Sequence, residues 1–194
     1  MRWSTQNKDW RNYQNRTLNA KVSSLLIEFL TKYNDIKTIV DLGCGAGNES
    51  VYLLRKGYKV TAVDRQLNKS FILDRLTEEE KNSVSFIESD FKNLILPQAD
   101  CVIAMFSIPF CEPIYFDELW DKIYSSLNNN GYFVGQLFGN RDAWAKLDSV
   151  NTFTKKEVLE KLSKYEILLL DEKEYVRERD NKKWHYFNII ARKK

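Results

Sequence analysis

The residues in this chain whose types and spacing could do chemistry together are carboxylates and glycines at the ends of apolar runs. Thr38-Ile39-Val40 is a short apolar run that closes on Asp41, and Gly43, Gly45 and Gly47 follow on alternate residues. The run reads as a buried strand, the glycines as a tight turn, and Asn48-Glu49-Ser50-Val51-Tyr52-Leu53-Leu54 as the start of a helix. A strand, a glycine turn and a helix make the first half of a nucleotide-binding βαβ unit, whose free N–H groups at the helix start receive polar or negative groups. A dinucleotide fingerprint needs Gly-x-Gly-x-x-Gly, but here the third glycine comes one residue early and Asn48 stands in its place. A carboxylate at Asp41 would repel a pyrophosphate and welcome an ammonium group. The combination points to a ligand with a nucleoside at one end and a cationic amino acid at the other. A second apolar run, Tyr58 to Val63, closes on Asp64, 17 residues after Gly47. That is the place where nucleotide-binding folds put an acid for the ribose hydroxyls, and an acceptor-only carboxylate suits two vicinal hydroxyls.

Asp41 to Gly47 resembles motif I of the class I SAM-dependent methyltransferases, acid-x-Gly-x-Gly-x-Gly. The resemblance implies S-adenosyl-L-methionine as cofactor, S-adenosyl-L-homocysteine as product and methyl transfer as the activity. It also implies a cofactor-binding set of Asp41, Gly43, Cys44, Gly45, Gly47, Asn48, Asp64, Arg65 and Met105. Ser89-Asp90-Phe91 resembles the family segment in which an acid accepts the adenine amine and the next residue packs the ring, which gives those roles to Asp90 and Phe91. Within the class, Val40–Gly47, Asn130-Gly131-Tyr132 and the ending Asn188 to Lys194 are similar to small bacterial stand-alone enzymes, the tellurite-resistance methyltransferases among them.

The elements that must position these residues follow from periodicity. Leu18, Val22, Leu25, Leu26, Phe29, Leu30 and Tyr33 recur at helical spacing, so a helix is expected over about 17–33. Strands are expected at 37–42, 58–64, 84–87, 99–106, 132–138, 167–170 and 185–191, with helices between the first five, at 66–76 and 113–127 among them. Asn128-Asn129-Asn130-Gly131 reads as a turn, Thr154 to Glu157 as a capping box, and 171–183 as a solvated loop of mixed charge. The last two strands are joined without a helix, so they are expected to be antiparallel. Right-handed crossovers then give an α/β fold: a three-layer, doubly wound sheet of seven strands, mostly parallel with one antiparallel strand near the edge. This is the Rossmann-like methyltransferase fold, expected as a single domain over 1–194, with an N-terminal lid and helix at 1–34 and the core sheet at 37–194. Its ligand belongs outside the carboxyl ends of strands one and four.

At 194 residues with 43% hydrophobic and 29% charged residues, the chain can bury a full core. A net charge of +3, with scattered basic residues, gives no nucleic-acid footprint. Cys44, Cys101 and Cys111 are an odd number without metal-ligand spacing, which fits a reducing cytoplasm and gives no metal. No apolar run approaches a membrane span. The expected partner is therefore a small molecule. Candidates for its pocket are Trp10, Tyr13, Arg16, Phe106, Phe110, Gln136, Phe138, Arg141 and Trp144, with residues 1–16 as a lid. No general base stands out: His185 is the only histidine and is expected to be structural or at the surface. Other readings remain open: a nucleic-acid methyltransferase, since Ser107-Ile108-Pro109-Phe110 is a near miss to an amino-methylating motif, an NAD-dependent enzyme, and a SAM-binding domain without turnover.

Overall fold

The computed structural model describes residues 10–194, so the expected lid falls partly, at 1–9, outside the described residues. Two helices open the described chain, α1 (Trp10–Thr17) and α2 (Ser24–Lys32). The expected single helix over 17–33 thus begins only at Ser24. The connecting carbonyls leave the helical ladder for side chains: Thr17 O accepts from Asn48 Nδ2 at 2.7 Å and Leu18 O from an Arg75 guanidinium nitrogen at 3.2 Å.

The sheet begins with β1 (Thr38–Leu42), α3 (Asn48–Arg55) and β2 (Lys59–Asp64). The short helices α4 (Ser70–Leu73) and α5 (Glu78–Lys81) then lead to β3 (Val84–Glu88) and β4 (Ala99–Ala104). After a loop with two 3-10 turns come α6 (Phe116–Ser126) and β5 (Leu127–Gly139). A two-residue β6 (Thr152–Phe153), α7 (Lys155–Lys161), β7 (Tyr165–Arg177) and β8 (Lys182–Lys193) complete the described chain. Along the sheet the order is β3-β2-β1-β4-β5-β8-β7, with β6 on the end of β5. All pairs are parallel except those of β8, which runs against both β5 and β7. This is the expected mostly parallel sheet with one antiparallel strand near the edge; β6 makes the strands eight rather than seven.

The pleat sorts the strand residues onto two faces. Val40, Leu42, Val102, Ala104, Phe133 and Phe187 pack with α6 and α7, while Ile39, Cys101, Ile103, Val134 and Ile190 pack with α2, α3 and α4. Each such buried aromatic or branched side chain contributes roughly 1.5–3 kcal/mol. The capping box on α7 is present, Glu157 N donating to Thr154 Oγ1 at 3.3 Å and Thr154 N to Glu157 Oε2 at 2.7 Å.

Two expectations are corrected. Asn128 to Gly131 is not a turn before a strand but an irregular stretch inside β5, with Asn130 at φ 62° and the β4 register shifting between Ala99 and Cys101. The presumed loop at 171–183 is the outer half of a long β7–β8 hairpin, turning at 178–181 with Asn181 at φ 50°. Its period of two, with Tyr175 opposite Trp184 and Lys173 opposite Tyr186 on one face and Glu174 opposite His185 on the other, is masked in the sequence by the charges between them. Among the described residues no helix is long and apolar enough to cross a membrane.

Candidate functional site

Strand order reverses between β1 and β4, and a cavity of about 730 Å³ opens at the carboxyl ends of these strands. That is within the range of small-molecule and cofactor sites. Gly43, Gly45, Asp64 and Arg65 form one end, Ser89, Asp90, Phe91 and Met105 continue it, and Phe106, Phe110, Phe138 and Trp144 stand at the other. Trp10, Tyr13 and Arg16 of α1 reach the same cavity.

The three turn glycines do three different things. A Cβ on Gly43 would lie 2.3 Å from that of Ser107, whose hydroxyl donates to Leu42 O, so this glycine lets the β1 and β4 loops touch. A Cβ on Gly47 would lie 2.2 Å from Ile72, so the third glycine serves packing of the α4 segment. Gly45, at φ +55°, has nothing within 4 Å of where its Cβ would be, and it faces the cavity. Its N–H donates to Asp64 Oδ2 at 2.9 Å, while Asp64 Oδ1 accepts from Gln66 N at 2.9 Å. Each carboxylate oxygen keeps acceptor capacity beyond these bonds. Asp90 uses Oδ1 for Asn93, with N at 2.9 Å and Nδ2 at 3.0 Å.

Asp41 is not on the cavity wall. It alternates with Val40 and Leu42, so its side chain turns toward α3, where it is 3% exposed and accepts from Ser50 Oγ at 2.6 Å. Burial, with Glu49 nearby and Ser50 opposing, pushes its pKa up to about 7. Cys44, Gly47 and Asn48 also lie behind the wall; Asn48 accepts from Arg75 at 2.9 Å. Through Asn48 and the Gln14 Nε2 donation to Gln66 O at 2.9 Å, α1 is fastened to the glycine turn.

Gln136 and Arg141, read as pocket candidates, are elsewhere. Gln136 is buried on the sheet and donates to Asn188 Oδ1 at 3.2 Å. Arg141 is exposed and pairs with Glu172 at 2.9 Å and Glu174 at 2.7 Å on β7. His185 is fully buried: Nδ1 accepts from Arg141 N at 3.0 Å, which leaves Nε2 to face Glu172 at 2.9 Å. Asp142 ties the same loop together, accepting from His185 N at 2.8 Å and from Trp144 N at 2.9 Å. The histidine thus fixes the loop that presents Trp144. Burial pushes the Cys111 thiol up to about 12, so it carries no thiolate at neutral pH.

The cavity residues that sequence reasoning missed include Arg177, Arg179, Lys182 and Trp184 of the hairpin, and Gln14, Lys92, Glu112 and Tyr115 elsewhere on the wall. Lys182 Nζ lies 4.0 Å from the Trp184 ring centroid and 4.6 Å from that of Trp144. Burial lowers its pKa. Phe106 has the left-handed φ of 53°, which is uncommon for a bulky residue and concentrates at functional sites. It sits at the middle of an aromatic cluster, 5.4 Å from Phe138 and 5.6 Å from Trp184 by ring centroids.

With this geometry in place, comparisons with known proteins are informative. Residues 39–131 match a family described as a methyltransferase domain. The carboxy-S-adenosyl-L-methionine synthase of Campylobacter jejuni is 26% identical over 133 residues, covering 67% of this chain and 57% of that one. The enzyme of that name from Escherichia coli is 30% identical over 115 residues, covering 54% of this chain and 45% of that one. The match thus spans about half the length of these relatives. In fold, the chain is similar to TehB from Haemophilus influenzae (TM-score 0.77, 22% identity, 95% of this chain and 67% of that one). It is also similar to 1,6-didemethyltoxoflavin-N1-methyltransferase from Burkholderia thailandensis (TM-score 0.65, 19% identity, 97% and 80%), which was solved with S-adenosylhomocysteine bound. The family match thus covers the segment that holds the glycine turn, and the chain has the Rossmann-like fold of the class I SAM-dependent methyltransferases that its Asp41–Gly47 turn resembles.

Proposed function

We propose that this protein is a SAM-dependent methyltransferase of one domain that acts on a small-molecule acceptor in the cytoplasm. The observation that carries the reading is the pairing of Gly45 with Asp64: an open backbone turn and a strand-end carboxylate, hydrogen-bonded to each other, on the wall of one cavity. The fit to the cofactor rests on that pair. Asp64 would accept the ribose hydroxyls on lone pairs left over from Gly45 and Gln66. Asp90 would accept the adenine amine on Oδ2, and Phe91 and Met105 would flank the ring. Arg65, next to Asp64 on the wall, would flank the ribose.

Asp41 would act from behind the turn. Its bond to Ser50 fixes the start of α3, and through it the backbone of Gly43 and Gly45. Bound S-adenosylmethionine would supply a sulfonium methyl group for attack by a lone pair of the acceptor, the carbon–sulfur bond breaking and S-adenosylhomocysteine leaving as the neutral thioether. The chain's own part is to hold the acceptor in line: proximity alone supplies roughly 7–11 kcal/mol in favourable cases. Phe106, Phe110, Phe138 and Trp144 would form the acceptor wall, with Trp10, Tyr13 and Arg16 of α1 closing over it.

Calorimetry with S-adenosylhomocysteine, S-adenosylmethionine and NAD tests the cofactor, and release of S-adenosylhomocysteine over a panel of thiols, oxyanions and small acids tests turnover. Binding of S-adenosylhomocysteine but not NAD is expected; no binding of the former up to millimolar concentration sinks the reading. The match to carboxy-S-adenosyl-L-methionine synthases favours one second reading, synthesis of that modified cofactor. Mass spectrometry of the cofactor pool after turnover separates the two.

A further inference from the structure

The cavity has two chemically different ends. Beside the glycine turn its charged wall is mixed, with Asp64 and Asp90 beside Arg65 and Lys92. At the hairpin end it is basic and aromatic, with Arg177, Arg179, Lys182 and Trp184 next to Phe106, Phe138 and Trp144. The hairpin register explains this. Arg177 lies opposite Lys182 and Tyr175 opposite Trp184, so these four share one face, while Glu172 and Glu174, opposite Phe187 and His185, share the other. The acidic face is consumed by Arg141 and Lys183.

On the cavity face the donors are not consumed. Arg177 is paired with Asp180, but Lys182 and Arg179 make no ion pair with any carboxylate among the described residues. Lys182 is half-buried between two indole rings, a position an unpaired ammonium occupies at a cost in hydration. Independently, the indole Nε1 of Trp184 is buried and has no hydrogen-bond partner. Buried donors are almost always paired, and one without a partner points to a missing acceptor. On the hairpin's own cavity face the groups with unmet capacity, Lys182, Arg179 and the Trp184 indole, are donors. A cationic ligand would be repelled; an acceptor-only group would satisfy them.

We propose that the methyl acceptor is a carboxylate with a flat aromatic body, the body seated among Phe106, Phe110, Phe138 and Trp144 and the carboxylate met by Lys182, Arg179 and the Trp184 indole N–H. This rests on the methyltransferase reading and names its substrate class. Of the two cations only Lys182 is half-buried, Arg179 being exposed, and one half-buried cation beside one indole donor matches the single charge and two oxygens of a carboxylate better than a phosphate dianion. The aromatic rings around Phe106 argue for an apolar body over a bare inorganic oxyanion.

The test titrates 1-naphthoate, 1-naphthamide, 1-naphthylmethylammonium and inorganic sulfate into the protein with and without S-adenosylhomocysteine, read by calorimetry and by tryptophan fluorescence. Naphthoate should bind about tenfold or more tighter than the amide, since bonds to charged groups exceed neutral ones, and the ammonium probe should be weakest. Lys182→Met should erase the preference for naphthoate over the amide, Lys182→Arg should restore it, and both should keep the wild-type affinity for S-adenosylhomocysteine. Equal binding of naphthoate and amide, sulfate as tight as naphthoate, no naphthoate binding at millimolar concentration, or discrimination intact in Lys182→Met each overturns the proposal. Failure of S-adenosylhomocysteine to bind at all overturns instead the cofactor reading on which it rests, and the naphthoate titration without it still reports on the anion site.

Discussion

The parallel half of the sheet, β3-β2-β1-β4, and the hairpin half, β5-β8-β7, build the two ends of one cavity by opposite means. In the parallel half the wall is made of backbone and strand-end carboxylates. A strand delivers its last residue, a turn exposes N–H groups, and one helix follows. Everything that matters lies within a few residues, from Asp41 to Asn48 and again at Asp64. In the hairpin half the wall is made of side chains brought together across strands, with Lys182 reaching Trp144 and Trp184 reaching Phe138 from about 40 residues away. A site of the first kind is a local property of the chain. One of the second kind exists only once the register is set.

The glycines of the two halves give the largest expected effects. A Cβ at Gly139 would lie 2.0 Å from Nδ1 of the fully buried His185 ring, which accepts from Arg141 N, while the His185 backbone N–H donates to Asp142. Gly139→Val should therefore destabilise the fold by about 3 kcal/mol or more, because neither ring nor loop has room to yield. Gly45→Val meets no neighbour, so only its left-handed backbone is penalised, by about 1–3 kcal/mol. Its cost should fall on S-adenosylhomocysteine binding, by at least about a hundredfold, since the side chain fills the place where ligand meets backbone. Urea denaturation and calorimetry on both variants check the contrast. Normal affinity in a folded Gly45→Val protein would move the cofactor away from the turn. A Gly139→Val protein of wild-type stability would mean that the hairpin half is soft.

The same contrast explains what the sequence made legible. The glycine turn, Asp64 and the parallel strand order could be read because each depends on a short apolar run and the residue that ends it. Charges at 171–183 looked evenly mixed because alternation in sequence is separation in space: Glu172 and Glu174 turn to Arg141, and Arg177 and Lys182 to the cavity. Gln136 and Arg141 were placed by their position near a strand end, but the pleat and the Glu172–Glu174 pair direct them elsewhere. Asp41 shows the same limit inside the legible half. Its place in the motif was plain, while its turn toward Ser50 follows from the alternation of β1.

That burial makes Asp41 a probe of the parallel half. In the unfolded chain its carboxyl ionises near the ordinary value of 3.8, whereas in the fold it holds its proton up to about 7. Between these values the folded state binds more protons, so this group makes stability fall as pH rises from about 4 to 7, and the loss is complete above that window. Asp41→Asn carries no such proton and keeps a partner for Ser50. Relative to the variant, the wild type should lose on the order of 4 kcal/mol across the window. Denaturation midpoints of both proteins at several pH values measure it. A difference that stays constant from pH 4 to 8 would show that the Asp41 carboxylate is ionised in the fold.

The smallest effect expected is the one most specific to the cofactor. Asp64 joins the two ligand-facing pieces of the parallel half, accepting from Gly45 N on one oxygen and from Gln66 N on the other, both at 2.9 Å. Asp64→Asn keeps the size and one acceptor but turns the second oxygen into a donor that faces either Gly45 N or Gln66 N. The turn should loosen slightly, and the charge-assisted bonds to ribose should be lost. Such bonds are worth about 1.5–3 kcal/mol each, so affinity for S-adenosylhomocysteine should fall by roughly one to two orders of magnitude. A loosened turn alone would weaken every nucleoside ligand alike. Loss of the ribose contact should instead narrow the gap between S-adenosylhomocysteine and its 2′-deoxyribose analogue, because the analogue lacks the hydroxyl that the carboxylate would have met. Titrating both ligands into wild type and variant separates the two. If the wild type binds the 2′-deoxy analogue as tightly as the parent, or the variant keeps the full gap, Asp64 is a brace for the glycine turn and not a ribose ligand.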